Sequence, residues 1–232
     1  GIPRVQLYYG LFSAACAVLF VLAARERPPL PPSEDAGTER SLMLDGLRNA
    51  FAVPSFRRFL AVAFIGLGIF NGVTTWIEAI VRPRGFGPVE AGTLGAVLLV
   101  AGVAGAVVLP ALSDRTGRRR PFILLGTALA IPGLAGLAWA QSFAGLCLAA
   151  GALGFFLTGV LPTGMQYASE AVLPTPEGTS NGLIQLFGQA SVVFVYLMEA
   201  LRTRDGSFTV SLAAACVLLA LAAVLAATLK EP

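Results

Sequence analysis

Long apolar runs recur seven times along the chain, and charged residues fall almost entirely in the gaps between them. A helix needs roughly 20 apolar residues to cross about 30 Å of hydrocarbon, and lipid offers its backbone no hydrogen-bond partners. The runs therefore predict transmembrane helices over about 4–24, 58–82, 88–112, 121–140, 143–168, 179–202 and 207–229. The fold class is all-α, a polytopic transmembrane helix bundle.

Composition removes the main competitor, an apolar soluble helical protein. Apolar residues make up 56% of the chain and charged residues 12%, about half the usual soluble share, too few to cover a water-facing surface. The formal charge of +3 does not point to nucleic acid, because the arginines gather at span ends rather than on one face. Cys16, Cys147 and Cys216 lie inside predicted spans without ligand-like spacing, and the chain has no histidine. No metal site, disulfide framework or cofactor is expected. The chain opens at Gly1 with no charged segment and no small-residue cleavage site ahead of its first apolar run, so span 1 is not a signal peptide. We expect it to be the C-terminal part of a longer protein, whose N-terminal half is a partner in function.

Loop charges set the expected orientation. With the 25–57 loop in the cytoplasm, that side collects Arg25, Arg27, Arg40, Arg48, Arg57, Arg58, Arg115, Arg118, Arg119, Arg120 and Lys230, against Arg4, Arg82, Arg84, Arg202 and Arg204 opposite. This bias places the C-terminal tail, 230–232, in the cytoplasm of a cell (plasma or inner) membrane protein. The 25–57 loop begins as a stiff, extended segment at Pro28, Pro29, Pro31 and Pro32. Met43, Leu44, Leu47, Ala50 and Phe51 then fall at helical spacing behind a candidate N-cap, Ser41. A short helix lying on the membrane surface is expected there. The domain plan is one helix (1–24), this loop (25–57) and a six-helix half (58–229).

Polar residues inside the spans are the candidate substrate-binding groups. Asn71, Thr74, Thr75 and Glu78 recur at intervals of three and four on span 2, and a lipid-facing carboxylate is costly. The stripe is expected to face a cavity or a partner helix, although the threonines could bond back to their own helix. On span 6, Gln185, Gln189 and Tyr196 share a face; buried amides need partners, so either a site or helix-to-helix hydrogen bonding fits. Thr158 and Pro162 mark span 5 as a helix weakened at its middle, as beside a cavity. Small residues mark close helix contacts at Gly68 and Gly72, and at Gly95, Ala101, Gly102 and Gly105.

Between spans 3 and 4 the chain reads Leu112-Ser113-Asp114-Arg115-Thr116-Gly117-Arg118-Arg119-Arg120-Pro121. The positions from Asp114 to Arg119 resemble the signature loop of the major facilitator superfamily, with Pro110 where that pattern has its first Gly. The string from Gly164 through Glu170 to Pro174-Thr175-Pro176-Glu177-Gly178-Thr179-Ser180-Asn181-Gly182 resembles a narrower group, the transporters related to the feline leukaemia virus subgroup C receptor. Locally, Thr175 suits an N-cap, Pro176 the first helical position and Glu177 the helix dipole. The resemblance implies twelve spans in two six-helix halves that rock around a central site, with spans 2–7 as the second half. It implies a conformational latch of Asp114, Arg115 and Arg118, with Glu170 as the acid expected to meet the Arg118 region. Gln189 matches a family glutamine, whereas the family's span-2 aromatic falls on Asn71.

The resulting expectation is a transmembrane solute transporter working by alternating access on a small polar or cationic organic metabolite, choline- or amine-like. Asn71, Thr74, Thr75, Thr158, Gln185, Gln189 and Tyr196 would line its site, with Glu78 on the outer side. A proton-coupled drug or metabolite exporter, with Glu78 carrying the proton, is the alternative, followed by a non-transporting receptor or assembly subunit. A membrane enzyme would need an interfacial cluster of His, Ser or paired acids, and none is present. Expected partners are thus a small-molecule substrate, the lipid bilayer and a possible coupling proton.

Overall fold

The computed structural model describes residues 2–23 and 43–232. The chain divides into two compact units. The first contains α1 (Ile2–Ala23), a single apolar helix of 22 residues. The second contains α2 (Met43–Ala52), α3 (Pro54–Val81), a short 3-10 turn (Arg82–Arg84), α4 (Pro88–Thr116), α5 (Arg120–Trp139), α6 (Phe143–Ala171), α7 (Glu177–Ala190), α8 (Val193–Ala200) and α9 (Thr209–Ala227). No strand occurs among the described residues. The Pro28–Pro32 linker and the Ser41 cap lie outside the described residues.

Among the described residues, seven helical segments are long and apolar enough to cross a membrane. Three overrun the bounds set by hydropathy. α3, α4 and α6 have 28, 29 and 29 residues, so each is about 42–44 Å long at 1.5 Å per residue, longer than the hydrocarbon alone requires. The surplus turns lie at the arginine-rich end of the bundle, where α3 starts and α4 and α6 finish. They carry Arg57, Asp114 and Glu170.

Span 6 is not one helix. α7 stops at Ala190 and α8 begins at Val193, and the join is tightened: the amides of Val192, Phe194 and Val195 donate to carbonyls three residues back instead of four. Span 5, where a proline-weakened middle was expected, is continuous: α6 runs through Pro162. The helices packed on both sides of α6 supply the support that a proline in a spanning helix needs.

Within the second unit α6 packs between α4 and α5, α9 rests on α5 and α3, and α7 and α8 lie against α3. Glycines make the tightest crossing possible. A Cβ on Gly105 of α4 would collide with the Phe155 carbonyl of α6, and one on Gly154 of α6 with the Leu98 carbonyl of α4; one on Gly159 would sit 2.7 Å from the Gly105 carbonyl oxygen. Backbone thus lies against backbone, as small-residue faces permit. Gly68 and Gly72 of α3 receive the Phe194 ring and the Met198 sulfur of α8. Gly95, expected on the same contact face as Gly102, meets open space instead.

α2 forms as the apolar spacing predicts, with Ala50 buried and Leu47 half-buried against the bundle. Its Gly46 lies beside Thr175, Pro176 and Thr179 at the start of α7. The cap of α7 is Pro176, one residue later than expected. The Thr175 hydroxyl turns toward the Gly46 carbonyl at 3.5 Å instead of closing the helix start.

Candidate functional site

Two groups of polar side chains stand out in the six-helix unit, one along α3, α7 and α8 and one at the arginine-rich end. In the first, Asn71 sits on α3 where the α7–α8 break passes. Its Nδ2 donates to the Ser191 hydroxyl at 3.3 Å, and that hydroxyl donates to the Gly188 carbonyl at 2.5 Å. Ser191 is fully buried. Its bond back into α7 satisfies a carbonyl near the interruption, and the Asn71 amide completes the join. Trp76 Nε1 donates to the Val195 carbonyl at 2.9 Å, and Ser211 of α9 donates to the Met198 carbonyl at 2.7 Å. α8 is therefore tied to both neighbours through its backbone.

The other members of the α3 stripe separate. The Thr74 hydroxyl bonds back to the Phe70 and Asn71 carbonyls of its own helix at 2.8 and 3.1 Å. Thr75 is exposed. Glu78 is paired with Arg82 one turn on at 2.5 Å, and both remain open to solvent. Glu199 makes the matching pair with Arg202, at 3.2 Å, at the end of the bundle opposite the arginine-rich one.

Gln185 and Gln189 of α7 are exposed on the surface of this unit, and neither amide has a hydrogen-bond partner among the described residues. Tyr196 of α8 is 72% exposed. The polar strip consists of these three residues with Asn71, joined to the α7–α8 break through Ser191, and the exposed Thr75 four residues on along α3. Leu186, Val192, Val193 and Leu197 are exposed apolar residues of the same α7–α8 segment. Thr158 is elsewhere. It helps wall a cavity of about 90 Å³ between α3, α5 and α6, lined almost wholly by apolar side chains such as Phe59, Leu67, Phe70 and Leu161. Its hydroxyl is buried without a partner, beside Gly102 of α4. The cavity is below the roughly 300–1,000 Å³ of sites that take drug-sized ligands, and its walls offer few polar groups.

The second group is built on the end of α4. Gly117 adopts the left-handed conformation, with φ of +63°, and closes the helix: its amide donates to the Asp114 carbonyl and the Arg118 amide to the Ser113 carbonyl, each at 3.3 Å. The Ser113 hydroxyl donates to the Arg118 carbonyl at 2.8 Å. This turn reverses the chain and brings Arg119 back over α4. Its guanidinium is paired with Asp114, donates to the Ser113 hydroxyl at 3.2 Å, and holds Glu170 of α6 with two bonds of 3.1 and 3.4 Å. Of the expected latch residues the structure brings together Asp114 and Glu170. Arg115 and Arg118 are exposed at its edge, and the bridging cation is Arg119. The hydrogen bond to Glu170 raises the Arg119 pKa, partial burial works against it, and Asp114 adds to the rise. The cluster therefore keeps its cation at any physiological pH.

Replacing Gly117 by alanine places a Cβ in the left-handed region. It should cost about 1–2 kcal/mol, read as a fall in Tm of the purified protein.

Beside this cluster the end of α9 is gripped from three helices. Arg58 of α3 donates to the Thr228 carbonyl at 2.9 Å, Tyr167 of α6 to the Lys230 carbonyl at 2.9 Å, and Arg120 of α5 to the Ala227 carbonyl. Glu231 in turn accepts from the backbone amides of Arg119 and Arg120 at 3.3 and 3.2 Å. Cations on a helix C-terminus and a carboxylate on a helix N-terminus both oppose the helix dipoles they meet.

Sequence reasoning missed three residues here. Ser191 is signalled only by Gly188 and a serine three residues on, a pairing that weakens helices. Trp76 reads as a membrane aromatic, and Arg119 as one of three equivalent arginines.

Known proteins resemble this chain along most of its length. The family model of the Major Facilitator Superfamily matches residues 5–195 and again 84–232. An uncharacterized protein of Archaeoglobus fulgidus is 32% identical over 230 residues, covering 97% of this chain and 99% of its own length. The choline/ethanolamine transporter FLVCR1 of Felis catus is 30% identical over 237 residues, covering 97% of this chain but 42% of its own. The choline/ethanolamine transporter flvcr2a of Danio rerio is 26% identical over 246 residues, or 98% and 51%. The chain thus spans nearly the whole of the archaeal relative and about half or less of the two named transporters.

Proposed function

Because the chain belongs to the Major Facilitator Superfamily, a family of multi-pass membrane transporters, we propose that it carries a small organic amine across the membrane by alternating access. The observation that supports this most is the pair of exposed amides, Gln185 and Gln189, on an apolar spanning segment. A polar side chain left without a partner in hydrocarbon is costly, so this face turns toward a water-accessible path between two halves. An opposing six-helix half completes it. The arginine-rich end faces the cytoplasm, as the loop charges favour.

The strip selects for a hydrogen-bond donor. Asn71 uses its Nδ2 on Ser191, which leaves Oδ1 to accept, and the amides of Gln185 and Gln189 can each present Oε1 the same way. The Tyr196 ring offers a face to a cation. A primary ammonium, as in ethanolamine, can donate to these oxygens, whereas a quaternary ammonium as in choline has no proton to give. Ethanolamine-like amines are therefore preferred over choline, both named for the FLVCR1 and flvcr2a relatives.

In liposomes carrying the intact protein, Gln189→Ala should raise KM for labelled ethanolamine about tenfold, the equivalent of one hydrogen bond to a charged group. Uptake with unchanged KM in both Gln189→Ala and Gln185→Ala would remove the strip from the substrate path. No uptake or release of any amine by the wild type would favour the receptor reading. Proton coupling through Glu78 has less support, since that carboxylate is already engaged by Arg82.

A further inference from the structure

At the arginine-rich end, a groove of about 340 Å³ opens between α2, α3 and α7, lined by Phe51, Arg57, Leu60, Ala61, Phe64 and Phe187. Its lining shares no residue with the polar strip or with the Arg119 cluster. Arg57, Leu60, Ala61 and Phe64 stand at i, i+3, i+4 and i+7 and so share one face of α3. Arg57 heads that face in the first turn of the helix, and Phe64 lies about 10 Å deeper along it. Phe187 of α7 and Phe51 of α2 close the sides, their rings 6.5 Å apart, and Phe64 meets Phe187 edge-on at 6.4 Å.

The groove thus has one charge, at its mouth, and apolar walls below it. Arg57 is exposed and no carboxylate among the described residues pairs with it, while its neighbour Arg58 is committed to the Thr228 carbonyl. A cation at headgroup depth above an apolar slot is complementary to a phosphodiester with an acyl chain beneath it. A peptide strand would leave its backbone amides unpaired against such walls, and a soluble anion would leave the slot empty.

We propose that this groove is a specific site for an anionic phospholipid, with the headgroup phosphate on Arg57 and one acyl chain laid along Leu60, Ala61 and Phe64 of α3. Through α2, the bound lipid would tie the segment that enters the six-helix unit to α3 and α7.

The test compares purified full-chain protein relipidated with phosphatidylglycerol or with phosphatidylcholine of identical chains. Phosphatidylglycerol should raise Tm above the phosphatidylcholine value and survive in native mass spectra. Arg57→Gln should weaken its retention about fivefold, the factor expected for one surface cation. Ala61→Phe, which fills the slot and keeps the charge, should abolish the lipid-specific Tm rise. Arg48→Gln removes an exposed α2 cation outside the groove lining and should leave both readouts unchanged. The proposal is overturned if the wild type does not distinguish the two lipids, if Arg48→Gln weakens retention as much as Arg57→Gln, or if inorganic phosphate alone reproduces the Tm rise.

Discussion

Gly105→Leu should prevent the six-helix unit from folding, leaving little monodisperse protein after detergent extraction. Even the first carbon of a side chain there meets the Phe155 carbonyl, which is backbone and cannot swing away. Overpacking of a well-fitted core costs about 1–3 kcal/mol where side chains can adjust, and here two helices must separate along their crossing. The separation would also loosen Gly154 and Gly159, which meet α4 in the same way. Gly105→Ala should give a weaker form of the defect, with a lowered Tm. Gly95→Ala provides the internal comparison, since that position faces open space on the same helix. It should be neutral or should gain up to about 1 kcal/mol from helix propensity. Equal Tm values for Gly95→Ala and Gly105→Ala would show that the α4–α6 contact is looser than described.

Arg119→Gln should change the transport rate by about tenfold while costing only a few degrees of Tm. The guanidinium is 11% exposed, but the carboxylates it joins are 54% and 37% exposed. Once released, Asp114 and Glu170 can rehydrate, so the stability lost is about that of one charge-assisted contact, 1.5–3 kcal/mol. A tenfold change in rate corresponds to about 1.4 kcal/mol, the part of that contact expected to be lost and remade if the bridge between the ends of α4 and α6 acts as the proposed latch. Arg119→Lys keeps the charge but not the two-pronged hold on Glu170, and should fall between. Adding Glu170→Gln to Arg119→Gln should change little further, since residues acting as one unit do not add. A folded Arg119→Gln protein with wild-type turnover would make the cluster a structural tie only.

Hydropathy located every spanning segment of the second unit because few charges interrupt the apolar runs. It misplaced the ends of α3, α4 and α6, because a run appears to stop at its first charges while the helix continues through the headgroup layer. The middles of spans 5 and 6 show the other limit. Pro162 carries an obvious local signal, yet α6 passes through it because packed neighbours outweigh the missing bond. The α7–α8 join has no proline, and it exists because Ser191 can turn inward to Gly188 and Asn71. That is a tertiary arrangement, and one helix read alone does not contain it. Arg119 was hidden similarly. Only the left-handed turn at Gly117 decides which of three successive arginines points back over Asp114. The exposed glutamines were legible because their neighbours Leu183, Ile184, Leu186 and Phe187 are apolar, so an unpaired amide stands out by chemistry alone.

The grip on α9 has a mechanical consequence. Arg58, Arg120 and Tyr167 fasten residues 227–230 from three different helices, so α3, α5, α6 and α9 are riveted into a single block where they emerge. Flexing within that block is confined to its far end, whereas the joint at Ser191, between α7 and α8, lies outside it. A spin-label pair placed near Arg58 and Thr228 should therefore hold one separation throughout turnover, while labels flanking Ser191 should sample two.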